Sequence, residues 1–211
     1  VDVFFVVSGF LITRILLAER RRTGGISLVA FWRRRVRRLL PALLVVLAAV
    51  AVASRAWMPQ WRMRGIRVDA LATLAYVANW RFVSSGQSYF EQGVGPSPLR
   101  HAWSLAIEEQ FYVLWPLVVV ALTALVRRRP RLAVGIGAVA LAAASAAWMA
   151  VASTGSDLSR VYYGTDTRAF AVLVGAAVAA GWDAGFGPSP SLARRRLRAR
   201  RLARYGSAAL V

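Results

Sequence analysis

Two adjacent carboxylates, Glu108 and Glu109, lie within the apolar stretch His101–Pro116 of this chain. A charged side chain inside a membrane-spanning helix is costly, so its presence indicates a function. Helical spacing places His101 on the face of Glu108, while Glu109 points roughly 100° away. A low-dielectric site can adapt a carboxyl or an imidazole group to general acid–base catalysis. We therefore predict Glu108, Glu109 and His101 as candidate catalytic residues. The alternatives are a carboxylate that pairs structurally with an arginine and a histidine that faces lipid headgroups.

A cluster of arginines in Phe31–Arg38 could bind an anion. Arg34 and Arg38 are four residues apart and Arg35 and Arg38 are three apart, so a helix would present them as one patch. Guanidinium groups match the geometry of phosphate oxygens. The same spacing fits a topology signal that attracts anionic lipid, and spacing alone favours that second interpretation.

The composition is that of a membrane protein. Hydrophobic residues make up 58% of the 211 positions and the mean hydropathy is +0.50, above the level of a soluble globular chain. The 28 basic and 9 acidic residues give a net charge of +19. Because the basic residues cluster between apolar runs, they indicate cytoplasmic loops, and nucleic-acid binding is not expected. One histidine and no cysteine exclude a multi-histidine metal site and a thiolate site.

We predict an all-α, polytopic transmembrane helical bundle. The small residues Ser8 and Gly9 permit close helix contact in the first span. Arg33–Leu40 is expected to lie at the interface, with Pro41 in the first turn of the following span. Residues 69–83 are predicted to form a short helix that dips into the membrane or lies on it without crossing. The later basic loops then fall on the cytoplasmic side, as basic loops of membrane proteins usually do. The predicted spans are residues 1–18, 39–57, 101–126, 132–152 and 165–182, with another starting at 205, and the short helix is 69–83.

This topology separates two kinds of chemistry. Asp166 and Arg168 fall near the outer end of the bundle, as candidate substrate-binding residues. The arginine cluster falls at the inner face, away from the carboxylates. Val1 and Val211 both lie in apolar runs, so we expect the sequence to be part of a longer protein.

Several sequence blocks resemble the signature blocks of the membrane acyltransferase-3 family of bacterial O-acyltransferases. The resemblance implies a multi-pass protein of the bacterial cytoplasmic membrane. It also implies transfer of an acyl group, often acetyl, from acyl-CoA inside to a hydroxyl of a glycan or lipid-linked sugar outside. The blocks are VDVFFVVSGFLIT (1–13), FWRRRVRRLLPAL (31–43), YVANW (76–80), PLRHAWSLAIEEQFYVLWP (98–116) and YGTDTRA (163–169).

The resemblance also implies roles for individual residues. Arg34, Arg35 and Arg38 match the arginine motif proposed to hold the CoA phosphates. Glu108 and Glu109 match the glutamate block of the family.

One departure concerns the catalytic base. Arg168 matches a later arginine of the family, but the family's histidine base lies on an earlier helix that would precede Val1. His101 belongs to a different motif, so the base role is not carried over to it.

A transporter or flippase for an anionic glycolipid is the alternative function, and a regulatory membrane scaffold is a third.

Overall fold

The computed structural model describes residues 1–86, 95–155 and 158–185, and over these residues the chain is all-α without a strand. This confirms the predicted helical fold class. The predicted helix start at 205 lies outside the described residues. Residues Val1–Ala180 form one compact unit. The helices are α1 (Asp2–Thr23), α2 (Leu28–Trp57), α3 (Met63–Leu74), α4 (Ala78–Ser84), α5 (Ala102–Leu125), α6 (Pro130–Ala152), α7 (Leu158–Tyr163) and α8 (Thr165–Gly185).

Three of these helices are long and apolar enough to cross a membrane. They are α2, α5 and α6, within the described part of the chain. A helix needs about 20 predominantly apolar residues to span the hydrocarbon core, and these helices have 30, 24 and 23 residues. The chain is a membrane protein.

The α2 helix differs from the prediction, which started a span at Leu39. It runs without interruption from Leu28 to Trp57 and contains Pro41 in its interior. Ser27 caps its first turn by accepting a hydrogen bond from the backbone amide of Ala30 at 3.4 Å. No glycine follows Pro41 before Trp57, and an isolated proline can be accommodated in a membrane helix. The structure therefore has one helix where the prediction began a separate span at Leu39.

The segment predicted as one short helix over 69–83 is two helices, α3 and α4. Between them Tyr76 has a φ of 55°, in the left-handed region. A left-handed residue cannot continue a right-handed helix, so the chain turns there. The sequence gives no glycine or asparagine at this position to signal the turn.

Helix α5 lies at the centre of the core, where it packs against α1, α2, α3, α4 and α6. Its buried face carries Trp103, Ile107 and Phe111 at four-residue intervals, followed by Trp115. The indole nitrogen of Trp115 donates to Thr13 Oγ1 of α1 at 2.8 Å, so the stripe is also hydrogen-bonded to its neighbour. This packing fixes the direction in which Glu108 and Glu109 point.

Helices α1 and α8 cross with their backbones in contact. A Cβ atom added at Gly9 would lie 2.7 Å from the carbonyl carbon of Val172. One added at Gly175 would lie 2.8 Å from the carbonyl carbon of Val6. The close helix contact predicted from Ser8 and Gly9 is confirmed, and the crossing places Ser8 near the carboxylates of α5.

Two basic segments lie at the same end of the bundle. Arg20, near the end of α1, donates from Nη2 to the carbonyl of Thr123, near the end of α5, at 2.9 Å. The second basic segment, Arg127–Arg131, follows α5 and runs into the first turn of α6. At the opposite end, Arg168 of α8 lies 3.4 Å from Asp2 of α1.

Candidate active site

A cleft of about 400 Å³ opens between α2, α5 and the turn that joins α3 to α4. Most of its wall is apolar, so any polar group in it is little screened by water. Its polar and aromatic lining comes from Trp32, Arg35, Tyr76, Glu109, Gln110 and Tyr112.

Arg35 of the arginine cluster reaches the carboxylate pair in this cleft. Its Nη2 lies 3.9 Å from Glu109 Oε1, and the two side chains are 20% and 11% exposed. Its guanidinium carbon lies 3.8 Å from the centroid of the Tyr112 ring, a cation–π contact. Trp32, one turn earlier on α2, donates from its indole nitrogen to the Tyr112 carbonyl at 3.0 Å. These contacts hold α2 against α5 at the cleft.

The Arg35–Glu109 contact leaves hydrogen-bonding capacity unused. A separation of 3.9 Å is too long for a hydrogen bond, so the attraction is Coulombic. Within the described residues, neither Arg35 Nε nor Glu109 Oε1 has a hydrogen-bond partner. A buried carboxylate in this condition can accept a proton or orient a donor, as acid–base catalysis requires.

Glu108 points to the other side of α5, towards α1. Its Oε2 accepts a hydrogen bond from the Tyr112 hydroxyl at 3.1 Å, and Ser8 of α1 lies beside both groups. Tyr112 therefore contacts Arg35 with its ring and Glu108 with its hydroxyl. The four-residue spacing between Glu108 and Tyr112 is a signal from which this bond could have been predicted.

The three predicted phosphate-binding arginines differ in their surroundings. Arg34 is largely exposed and pairs with Glu19 of α1 at 3.4 Å, Arg35 lines the cleft, and Arg38 is exposed. Adjacent residues of a helix point about 100° apart, which separates Arg34 from Arg35. The predicted separation of the arginines from the carboxylates is wrong for Arg35, because the uninterrupted α2 helix brings it to Glu109.

The structure does not bring His101 or Asp166 into the cleft. His101 is the N-cap residue of α5 and its side chain is exposed. Asp166 accepts two hydrogen bonds from Arg160, at 3.0 and 2.7 Å, and one from the indole nitrogen of Trp148 at 2.7 Å. Arg160, which the sequence analysis did not single out, therefore neutralises the charge of Asp166.

Arg168 is likewise engaged by its neighbours. Its Nε donates to the carbonyl of Tyr162 at 3.2 Å, and its guanidinium lies 4.6 Å from the centroid of the Tyr162 ring. Its Nη1 lies 3.4 Å from Asp2. A substrate role for Arg168 or Asp166 stays a prediction.

Tyr76 and Gln110 are lining residues that the sequence analysis did not single out as site residues. Burial, and then the charge of Glu109, raises the pKa of the Tyr76 hydroxyl above its ordinary value, so the phenol stays protonated at neutral pH. Tyr76 is therefore a hydrogen-bond donor near Glu109. The sequence signal that could have identified Tyr76 as a site residue is its position in the YVANW block.

No group of three side chains suited to hold a metal ion occurs in the part of the chain described above.

This chain has close relatives among known proteins, and three of them illustrate the similarity. The chain is 45% identical over 183 residues to "Peptidoglycan O-acetyltransferase OatA" of Listeria monocytogenes, covering 86% of this chain and 29% of that protein. It is 44% identical over 186 residues to "Putative peptidoglycan O-acetyltransferase YrhL" of Bacillus subtilis, covering 86% and 28%. It is 41% identical over 185 residues to "Putative O-acetyltransferase SACOL0978" of Staphylococcus aureus, covering 86% and 30%.

The chain thus spans less than a third of the length of each of these relatives. No solved structure matches it. The model of the acyltransferase-3 family, described as "Acyltransferase domain", matches residues 1–187. Because that match covers most of the sequence, the chain belongs to the acyltransferase-3 family, as its signature blocks predicted.

Proposed function

We propose that this chain is the membrane-embedded part of a bacterial O-acetyltransferase that modifies a cell-envelope glycan. The donor is acyl-CoA, with acetyl as the acyl group, and it binds from the cytoplasmic side. The acceptor is a hydroxyl of peptidoglycan or of a lipid-linked sugar on the other side. The protein is then a multi-pass protein of the cytoplasmic membrane, in contact with membrane lipid and the glycan.

The contact between Arg35 and Glu109 is the observation that carries the proposal. It joins the arginine motif to the glutamate block in one cleft, and the guanidinium lies on the Tyr112 ring. A transferase needs a cationic group for its anionic donor and a group that handles a proton within reach of each other. The names of the relatives supply the acetyl group and the peptidoglycan acceptor.

The reaction forms an ester and breaks a thioester. The acceptor oxygen attacks the acetyl carbonyl carbon, the bond from that carbon to sulfur breaks, and CoA leaves as a thiol. The hydroxyl proton passes to a base, and the sulfur gains a proton. We assign the role of the base to the histidine of the earlier family helix. Glu109 or Glu108 then orients the reacting hydroxyl or carries the proton. The phosphates of the donor are bound by Arg34, Arg35 and Arg38.

The direct test is acetyl transfer by the whole protein in sealed liposomes. Acetyl-CoA is supplied on the side of the basic loops and soluble peptidoglycan fragments on the opposite side, and free CoA thiol and acetylated glycan are both measured. The proposal predicts equal amounts of thiol and ester, both dependent on the acceptor. Liposomes without protein and reactions without glycan are the controls.

Two results would refute the proposal. One is thiol release that does not depend on the glycan, which would indicate hydrolysis alone. The other is movement of a glycolipid across the bilayer with no ester formed, which would support the flippase alternative.

A further inference from the structure

Three polar side chains from three helices form a closed ring of hydrogen bonds beside the cleft. Gln110 Nε2 donates to Asn79 Oδ1 at 3.0 Å, Asn79 Nδ2 donates to Thr165 Oγ1 at 2.9 Å, and Thr165 Oγ1 donates to Gln110 Oε1 at 2.6 Å. Each member donates a hydrogen bond to the next. If the oxygen and nitrogen of either side-chain amide were exchanged, two donors or two acceptors would face each other. Hydrogen bonds arranged in this way strengthen one another in a low-dielectric interior.

The ring is tied to two backbone carbonyls. Gln110 Nε2 also donates to the carbonyl of Tyr76 at 2.8 Å, and Asn79 Nδ2 also donates to the carbonyl of Tyr163 at 3.0 Å. The side-chain amide hydrogens of both residues are thereby used, and Asn79 is fully buried. The ring therefore joins the α3–α4 turn to α5 and to the start of α8.

The turn that the ring holds has an unfavourable backbone conformation. Among the described residues, Tyr76 is the one non-glycine residue with a positive φ, at 55°. A bulky residue adopts this conformation only where its surroundings impose it, and such outliers point to a function. Tyr76 lines the cleft together with two consecutive residues of α5, Glu109 and Gln110.

We propose that the ring of Gln110, Asn79 and Thr165 is a positioning device that holds the Tyr76 side chain in the cleft beside Glu109. The three residues act through Tyr76 and do not contact the reacting groups. This inference rests on the proposed acyl transfer, and it gives the YVANW block a role in that reaction.

The test compares three threonine variants of the whole protein. Thr165→Val removes the ring hydroxyl at almost unchanged volume, whereas Thr165→Ser keeps the oxygen. Thr167→Val is the matched control, because Thr167 lies in the same helix and its hydroxyl bonds only to the carbonyls of Val161 and Gly164 among the described residues. We expect Thr165→Val to lower kcat by about tenfold or more, with KM for acetyl-CoA unchanged, because misplaced groups slow the chemical step. The other two variants keep the kcat of the folded wild-type protein.

A double variant asks whether the ring acts through Tyr76. If it does, adding Thr165→Val to a Tyr76→Ala protein lowers kcat by no more than about twofold further, because coupled residues are not additive. A full tenfold loss in both backgrounds would overturn the proposal, as would a wild-type kcat in Thr165→Val.

Amide hydrogen exchange gives a measurement that does not depend on activity. The peptide covering residues 74–80 should exchange about fivefold faster or more in Thr165→Val, because a buried hydrogen bond is lost, and at the wild-type rate in Thr165→Ser and Thr167→Val. Unchanged exchange in Thr165→Val would overturn the positioning role. A wild-type protein without acetyl transfer would instead refute the proposed function, while the exchange result would still decide whether the ring holds the Tyr76 turn.

Discussion

A methyl group added at Gly175 has no space at the crossing of α1 and α8. Its carbon would overlap the carbonyl oxygen of Val6, and it would lie 2.8 Å from the carbonyl carbon of Val6 and 2.9 Å from the backbone nitrogen of Phe10. Non-bonded heavy atoms prefer separations of about 3.5–4.0 Å, so Gly175→Ala requires the helices to move apart by more than roughly 1 Å. All three obstructing atoms belong to backbone and cannot rotate away.

Two opposing effects set the size of the change. Alanine favours a helix over glycine by about 1 kcal/mol. Overpacking of a close-packed interior costs about 1–3 kcal/mol, and an obstructing backbone places this case at the upper end of that range. The expected net loss in free energy of unfolding is therefore about 2 kcal/mol, equivalent to a melting temperature lower by roughly 4–8 °C for a chain of this size.

Thermal unfolding of the purified whole protein in detergent measures this loss. The matched control is Gly65→Ala in α3, where an added Cβ meets no atom within 4 Å. That variant should melt at or above the wild-type temperature, because it gains helix propensity without a clash. A Gly175→Ala protein that melts as high as the wild type would refute the close crossing of α1 and α8.

Two further predictions concern charged pairs. Arg35→Ala should raise KM for acetyl-CoA by about tenfold or more, because a charge-assisted contact to the donor is lost, whereas the exposed Arg33→Ala should change it less than about twofold. An unchanged KM in Arg35→Ala would remove this residue from the donor site. Asp69→Asn should destabilise the fold by about 3 kcal/mol, because Asp69 is 2% exposed and lies 3.2 Å from Arg81. Asp2→Asn, at a carboxylate that is 56% exposed, should cost less than about 1 kcal/mol in the same melting assay, and equal losses in both variants would contradict the burial argument.

The sequence was sufficient for the features that depend on composition and local pattern. Apolar length predicts the three helices that could cross a membrane, α2, α5 and α6, and the α5 and α6 bounds lie within two residues of the predicted segments. The predicted spans 1–18 and 165–182 correspond to α1 and α8, which are not among these three in the described part of the chain. The small residues at Ser8 and Gly9 predict a close helix contact, and α1 makes one with α8.

The arrangement of the site depends on packing that no local pattern specifies. Pro41 is a helix-ending signal in most contexts, and α2 passes through it. As a result Arg35 contacts Glu109, which lies 74 positions later in the chain. The residue types alone do not indicate that these two side chains are partners. The ring of Gln110, Asn79 and Thr165 joins three distant segments through neutral side chains, which a search for titratable groups overlooks.

The rate of acetyl transfer by the Glu109→Gln protein is the most direct measurement of whether the cleft performs the reaction. Glutamine keeps the shape of the side chain and removes its charge, so proton handling is lost while packing is retained. We expect transfer from acetyl-CoA to glycan to fall by about 100-fold or more, in a protein that is still folded at the assay temperature. Glu19→Gln, which alters a carboxylate paired with Arg34, should retain the wild-type rate. A Glu109→Gln protein that transfers acetyl groups as fast as the wild type would show that the Arg35–Glu109 cleft is not the site of the chemistry.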